Sequence, residues 1–351
     1  MKRSVSYLLY LLYIMAAVSL ILLFLEGAGR VIIHAKYGVP GKSYGLWKYD
    51  VELGATHRFN AYNTRTSLND YGFRNREDIY NPKPFNSLRI IAFGGSTTFG
   101  YNLADGETYT EKLESRLRRI PNYEKTQVLN AGRICYSAGH NLILMKRLVP
   151  LLKPDYVIIY EGVNEMMNTW ALEQDGVSID RLRSHYGAIG KSYDQNRWLK
   201  RNSIIVRFID YYVKSRIIIP RIGTAPKREN MEREPIVQQN QIHPWVIENY
   251  KYVLRAMIDF LQKENVTPVV VRYASWHYPQ QKIFSDISAQ IAKEKGVLLC
   301  DMASRFKQLG DKAEDLFIET GVHVTPKGAD ILADELLETI RKDPARKRLV
   351  S

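Results

Sequence analysis

The hydrophobic pattern divides the chain into one long apolar run, a polar and aromatic stretch, and a region where short apolar runs alternate with amphipathic ones. Residues 7–25 carry no charge, and Ser19 is their only strongly polar member. As a helix this run would reach roughly 28 Å, enough for the hydrocarbon core of a bilayer. From residue 88 onward the rhythm changes. Residues 88–93 form a short apolar run that ends in Gly94-Gly95-Ser96 and predicts a buried strand followed by a tight turn. Helical spacing follows over 107–120, a second strand and turn over 126–132, a helix over 142–152 and a third strand over 156–162. Further strands are expected at 267–273 and 296–300, with a helix at 283–294 between them and a last helix at 326–341. Strands alternating with helices predict an α/β fold with a parallel doubly wound sheet. Ligands of such sheets bind beyond the carboxyl ends of the strands. The loops holding Ser96, Cys135 and Asn164, and the segment after Tyr273, would meet at that edge.

Lys2 and Arg3 precede the apolar run, which predicts a cytoplasmic N-terminus and a single-pass cell-membrane protein whose main domain is extracytoplasmic (periplasmic or extracellular). A cleaved signal peptide is the rival, but the run is longer than a typical signal core, which favours an uncleaved anchor. Residues 30–84 are rich in Tyr, Asn, Gly and Arg, with turn-punctuated short strands expected at 49–54 and 69–74 and no evident chemistry. The expected organisation is an anchor at 1–29, a juxtamembrane segment at 30–84 packed on the core, and an α/β domain at 85–345. A basic helical insertion at 171–245 interrupts that domain.

Composition adjusts this picture in two ways. The chain has 351 residues, is 45% hydrophobic and carries a formal charge of +13, which suggests an acidic partner such as nucleic acid, anionic lipid or acidic polysaccharide. No zinc-finger spacing, RNA-binding aromatic signature or basic recognition helix supports nucleic acid, so none is expected as a partner. Residues 181–234 hold 13 Lys/Arg and 5 Asp/Glu, so most of the excess charge lies within the insertion. That stretch reads either as a lid or basic face toward anionic lipid or polymer, or as a solvated insertion with a helix packed on the core. Cys135 and Cys300 form neither a disulfide framework nor a metal-ligand spacing, and no metal or cofactor is expected.

The candidate chemistry starts at Ser96. A serine nucleophile needs an exposed hydroxyl, a base and donors for the developing oxyanion. If a helix starts just after Ser96, its free N–H groups favour negative charge there. Asn164, in Glu161-Gly162-Val163-Asn164-Glu165, could donate to an oxyanion or make an ordinary turn hydrogen bond. His323 lies just ahead of Thr325-Pro326, an N-cap followed by proline at the first helical position. The positive helix end would disfavour imidazolium and keep His323 a neutral base, although an isolated histidine can equally be structural. His243 reads as packing, whereas His277 follows a strand end and can line the pocket.

Taken in order, Gly-Gly-Ser-Thr-Thr-Phe-Gly, Asn-Ala-Gly, Gly-Val-Asn-Glu and Val-His-Val-Thr-Pro-Lys-Gly resemble the four blocks of the SGNH (GDSL-type) hydrolases, over roughly residues 86–341. The anchor and Asn-Asp-Tyr-Gly-Phe-Arg look like the membrane-tethered bacterial members. The resemblance implies a flavodoxin-like three-layer parallel sheet and ester or acyl chemistry without a metal. It implies Ser96 as nucleophile and His323 as general base. The implied oxyanion donors are the Ser96 N–H, a second-block N–H at Cys135, and Asn164. Two departures stand out. The family's oxyanion glycine falls on Cys135, where a positive φ would be strained. Its aspartate three residues before the histidine falls on Thr320. Glu319 is the neighbouring candidate for the triad acid and Asp315 a weaker one, and a Ser–His dyad completed by a backbone carbonyl is the alternative. Gly95, Gly162, Glu165 and His277 are the expected substrate contacts. The expected function is a membrane-anchored serine esterase or deacylase acting on an acylated (for example O-acetylated) carbohydrate or lipid. The alternatives are an O-acyltransferase and a catalytically degraded domain that binds envelope polymers.

Overall fold

The computed structural model describes residues 2–37, 42–50, 52–63, 65–85, 87–165, 203–213, 242, 244–274, 279–318 and 321–344. Helix α1 (Lys2–Tyr37) contains the apolar run and continues beyond residue 29, the boundary expected for the anchor. Its stretch Leu9–Lys36 is long and apolar enough to cross a membrane, with an 18-residue window of mean hydropathy 2.3 in which no residue is buried. The polar stretch that follows holds β1 (Ser43–Tyr44), β2 (Trp47–Asp50), β3 (Gly54–His57) and β4 (Ala61–Tyr62), paired as an antiparallel β2–β3 ribbon and a short parallel β1–β4 ladder. The strand expected at 69–74 is instead a turn. Asn69 Oδ1 accepts hydrogen bonds from the N–H groups of Tyr71 and Phe73, both at 3.0 Å. An asparagine side chain that captures the backbone two residues on competes with strand pairing.

Five parallel strands form the central sheet: β5 (Arg89–Gly94), β6 (Gln127–Asn130), β7 (Tyr156–Tyr160), β8 (Thr267–Arg272) and β9 (Leu298–Asp301). Their order is β6-β5-β7-β8-β9, the flavodoxin-like order 2-1-3-4-5. The sequence of β5 is continuously apolar from Ile90 to Phe93 because both faces of the sheet are covered. Successive residues serve opposite faces. Ile91, Phe93, Val157 and Ile159 pack with α4 (Ala138–Leu152), α6 (Pro244–Lys263) and α7 (Pro279–Glu294). Ile90, Ala92, Ile158 and Tyr160 pack with α3 (Tyr109–Leu117), α8 (Met302–Gln308) and α9 (Pro326–Arg341). Fully burying one such side chain contributes about 1.5–3 kcal/mol. The result is a three-layer α/β domain with helix α2 (Ser96–Phe99) at the carboxyl end of β5.

Most of the expected insertion at 171–245 lies outside the described residues. Within it, α5 (Ile204–Val213) falls in a stretch whose apolar spacing predicts helix, and its N-terminus docks on α1. Glu26 accepts from the Ile204 and Ile205 N–H groups and from the Ser203 hydroxyl. Helix α6 begins at Pro244, inside the boundary expected for the insertion, and is an element the sequence reading did not name.

Candidate active site

The turn that carries Ser96 is made by close backbone approach. A Cβ on Gly94 would lie 2.2 Å from Thr98 Oγ1 and 2.6 Å from the Tyr160 carbonyl oxygen. A Cβ on Gly95 would lie 2.3 Å from Asn164 Nδ2. Glycine is therefore required by space, since neither residue has a positive φ. Gly132 plays the same part from the second loop, where a Cβ would fall 2.3 Å from the Phe99 nitrogen. The single helical turn that begins at Ser96 ends at Gly100, whose φ of 79° caps it by returning an N–H to the Ser96 carbonyl.

The polar stretch before β5 completes this support. Arg74 is buried, and its Nη1 donates to the carbonyls of Phe99 and Gly100 at 2.6 and 2.5 Å, while Nη2 donates to that of Leu103 at 2.5 Å. The Phe99 and Gly100 carbonyls are ones that the end of a helix leaves without intrahelical partners, and that of Leu103 belongs to the loop that follows. Asn130 Nδ2 donates to the Thr98 carbonyl at 2.8 Å. Asn75 in turn accepts from the Asn130 N–H and donates to the Val128 carbonyl, both at 2.9 Å. No chemistry is legible in the sequence of this stretch. Its one available signal was Arg74 directly after an apolar Gly-Phe pair, where a charged side chain must be carried inward and satisfied.

His323 arrives from the far end of the chain. Its carbonyl accepts from the Ile318 N–H at 2.8 Å, and Phe317 and Val324 form an isolated antiparallel bridge. Thr325 caps α9 by accepting from the Gly328 N–H at 3.3 Å, with Pro326 in the first turn. The histidine is thereby fixed immediately before the helix, and its Nε2 lies 2.8 Å from Ser96 Oγ. For the hydroxyl to donate, Nε2 must be the unprotonated nitrogen and Nδ1 must carry the ring proton. Burial lowers the His323 pKa below the ordinary histidine value, which keeps the ring neutral at neutral pH. The Tyr101 ring, not anticipated from sequence, packs beside it with centroids 5.1 Å apart.

Opposite the histidine, the second loop is pinned to the sheet by the Arg133 N–H, which donates to the Gly94 carbonyl at 3.0 Å. Cys135 has φ 65°, the left-handed conformation that favours glycine. Its thiol is half-buried, and burial raises the pKa, so the group stays neutral. Asn164 Nδ2 donates to the Tyr136 carbonyl at 2.7 Å, and a primary amide carries a second N–H for another acceptor. The Arg133 guanidinium is buried with its Nη1 on the carbonyls of Ala131 and Gly132. Burial pushes its pKa down to about 10, which leaves it a cation at neutral pH.

The structure thus brings together Ser96, His323, Cys135, Asn164 and Gly95 at the carboxyl ends of β5 and β7, where the strand order reverses. Two expected substrate contacts are corrected. Glu165 is turned into the core, with Oε1 accepting from the Ala138 N–H at 2.7 Å. Gly162 faces the interior too, since a Cβ there would meet Tyr273 Cε1 at 2.9 Å and Phe284 Cβ at 3.0 Å. Glu319, Thr320, His243 and His277 lie outside the described residues, and Asp315 is exposed on the short 3-10 turn before His323. Among the described residues no group of three or more His, Cys, Asp or Glu side chains is placed to hold a metal ion.

Residues 92–331 match the family model described as GDSL-like lipase/acylhydrolase. The chain belongs to this family. It is an SGNH-type ester hydrolase by that membership. Solved structures with a similar chain path include a lipase/acylhydrolase from Enterococcus faecalis, at 15% identity and TM-score 0.45, covering 72% of this chain and 95% of that one. They also include an acetyl xylan esterase, AlAXEase, at 16% identity and TM-score 0.45, covering 72% of this chain and 100% of that one. The esterase EstA from Pseudoalteromonas sp. matches at 14% identity and TM-score 0.43, covering 72% of this chain and 97% of that one. No curated protein matches the chain.

Proposed function

We propose that the protein is a membrane-anchored serine esterase or deacylase that removes acyl groups from an extracytoplasmic glycan or lipid. The observation that carries this reading is the 2.8 Å contact between Ser96 Oγ and His323 Nε2. Ser96 Oγ attacks the ester carbonyl while His323 Nε2 takes its proton, giving a tetrahedral oxyanion. The Ser96 and Cys135 N–H groups and the Asn164 amide are the assigned donors to that oxyanion. Collapse expels the alcohol, protonated by His323, and leaves an acyl-Ser96 ester. Water then attacks with His323 as base, releasing the carboxylic acid and restoring the serine. Glu319 is the proposed partner of the imidazole, fixing its tautomer. Helix α1 supports anchoring, and Lys2 and Arg3 before it support an extracytoplasmic catalytic domain.

The test is hydrolysis of a short-chain aryl acetate by the full-length protein in detergent or nanodiscs. Ser96→Ala and His323→Ala are each expected to reduce kcat by ~10³-fold or more. In the parent, activity should rise with pH through a value below the ordinary histidine pKa, because the base works only when unprotonated. Folded variants that retain full turnover would sink the assignment.

A further inference from the structure

The mechanism above makes no use of two carboxyl groups that lie directly beneath it. Glu161 follows β7 immediately, and Glu165 closes the turn that carries Asn164; each is only 3% exposed. Gly162, at φ 112° and wedged against Tyr273, Phe284 and the Tyr250 hydroxyl, turns the chain back between them. One oxygen of each, Glu161 Oε1 and Glu165 Oε2, is buried without a hydrogen-bond partner. Among the described residues no basic side chain bonds either group. The elements packed around the pair supply neutral or acidic groups: Asn141 from α4, the Tyr250 phenol from α6 and the Tyr273 phenol after β8. The other titratable side chain on the first turn of α4, His140, has its Nδ1 2.9 Å from Ser137 Oγ. Tyr250 is hydrogen-bonded to Ser288 of α7 at 2.7 Å, and Tyr273 donates to the Gln281 carbonyl at 2.6 Å.

Two negative charges in one buried space without a cation are strongly disfavoured, whereas a pair in which one carboxyl keeps its proton carries a single charge. That charge has a fitting place. Glu165 Oε1 accepts from the N–H of Ala138, the first residue of the 15-residue helix α4, where backbone N–H groups favour an anion. Glu161 is then the protonated partner. Burial and the neighbouring Glu165 charge raise its pKa well above the usual carboxyl range, and burial raises that of Glu165 to about 7.

The consequence falls on the oxyanion loop. The 161–165 turn grips the 135–138 loop at two points, Asn164 Nδ2 to the Tyr136 carbonyl at 2.7 Å and Glu165 to the Ala138 N–H at 2.7 Å. Between them they hold the strained Cys135 turn and the Asn164 amide against each other. We propose that Glu161 and Glu165 are positioning residues: a buried carboxyl pair carrying a single negative charge, on Glu165, that straps the Asn164 turn to the start of α4 and so fixes the oxyanion donors. This rests on the oxyanion roles assigned above. Loss of the Glu161 proton creates like charges that part the two groups, and the strap slackens. Stability follows the same sign. A carboxyl whose folded pKa is raised keeps its proton where the unfolded chain has released it, so its contribution is lost as pH rises through the folded value.

The experiment uses the full-length protein and reads three things. Infrared difference spectra of the parent against Glu161→Gln should show, at neutral pH, a carboxylic-acid carbonyl band that the variant lacks. Hydrogen exchange should show faster exchange of the Ala138 amide in Glu165→Ala than in Glu165→Gln, which keeps an acceptor oxygen. With aryl acetate, Glu165→Ala should lose roughly tenfold or more in kcat with KM nearly unchanged. The alkaline fall in the parent's kcat should move to higher pH or vanish in Glu161→Gln, which cannot acquire the second charge. A missing acid band, or an Ala138 amide indifferent to Glu165, overturns the proposal. An alkaline fall identical in parent and Glu161→Gln overturns it as well. The first two readouts do not depend on turnover. A parent without esterase activity but with both signals would refute the hydrolytic reading and leave the strap supported.

Discussion

The two halves of the Ser–His contact are built in different ways. The serine side is over-determined. Gly94, Gly95 and Gly132 each sit where a single added carbon would collide with backbone or a buried amide, and Arg74, Asn75 and Asn130 fasten the turn from outside. The histidine side depends on an isolated bridge, the Ile318–His323 hydrogen bond and the Thr325 cap of α9. The difference teaches which errors each partner tolerates. In the proposed mechanism the serine must meet the oxyanion donors and the base at once, and its backbone has no freedom. The imidazole needs one nitrogen within reach of the Ser96 hydroxyl and its tautomer fixed, and its place just before a helix N-terminus sets the first of these.

This comparison can be broken most severely at Arg74. Arg74→Met keeps the apolar stem but leaves the Phe99, Gly100 and Leu103 carbonyls without their buried donor, at a cost of about 3 kcal/mol. Chemical denaturation should register that loss, and kcat should fall with it because the turn carrying Ser96 loses its brace. An Arg74→Met protein with unchanged stability would show that the polar stretch merely covers the domain. The smaller effect is expected on the histidine side. Thr325→Ala removes the side-chain acceptor for the Gly328 N–H and should cost ~1 kcal/mol. Its kcat should drop only a few-fold in a direct rate assay, since the bridge and the Pro326 turn remain. A collapse of activity comparable to that of Arg74→Met would mean that the two sides are equally brittle.

Much of the sheet was legible because its strands are apolar on both faces and bounded by Gly and Pro-Asp punctuation, as 88–93 and 156–160 illustrate. The order of the strands is not written in such runs, which look alike wherever they sit in a covered sheet. The glycines before Ser96 and the Thr325-Pro326 start of α9 stood out because turns and caps need particular residues. Arg74 did not, since an arginine in a polar stretch reads as solvated until a fold gives it three carbonyls. Glu165 misled in the opposite direction. Its neighbour Asn164 faces the site, and the adjacent side chain points into the core to bond Ala138. The αL residue at Cys135 shows the limit of a pattern match: the turn survives without glycine, with the strain absorbed by a loop tied at Gly94, Asn164 and Glu165.

The central claim is that Ser96 is a nucleophile activated by His323. Intact-mass analysis of the full-length protein after exposure to an aryl or alkyl phosphonate tests it without knowledge of the natural substrate. The account predicts a single covalent adduct, mapped by peptide sequencing to Ser96, absent in Ser96→Ala and formed at least ~10²-fold more slowly in His323→Ala. A folded protein that remains unlabelled, or carries the adduct on another residue, would contradict it.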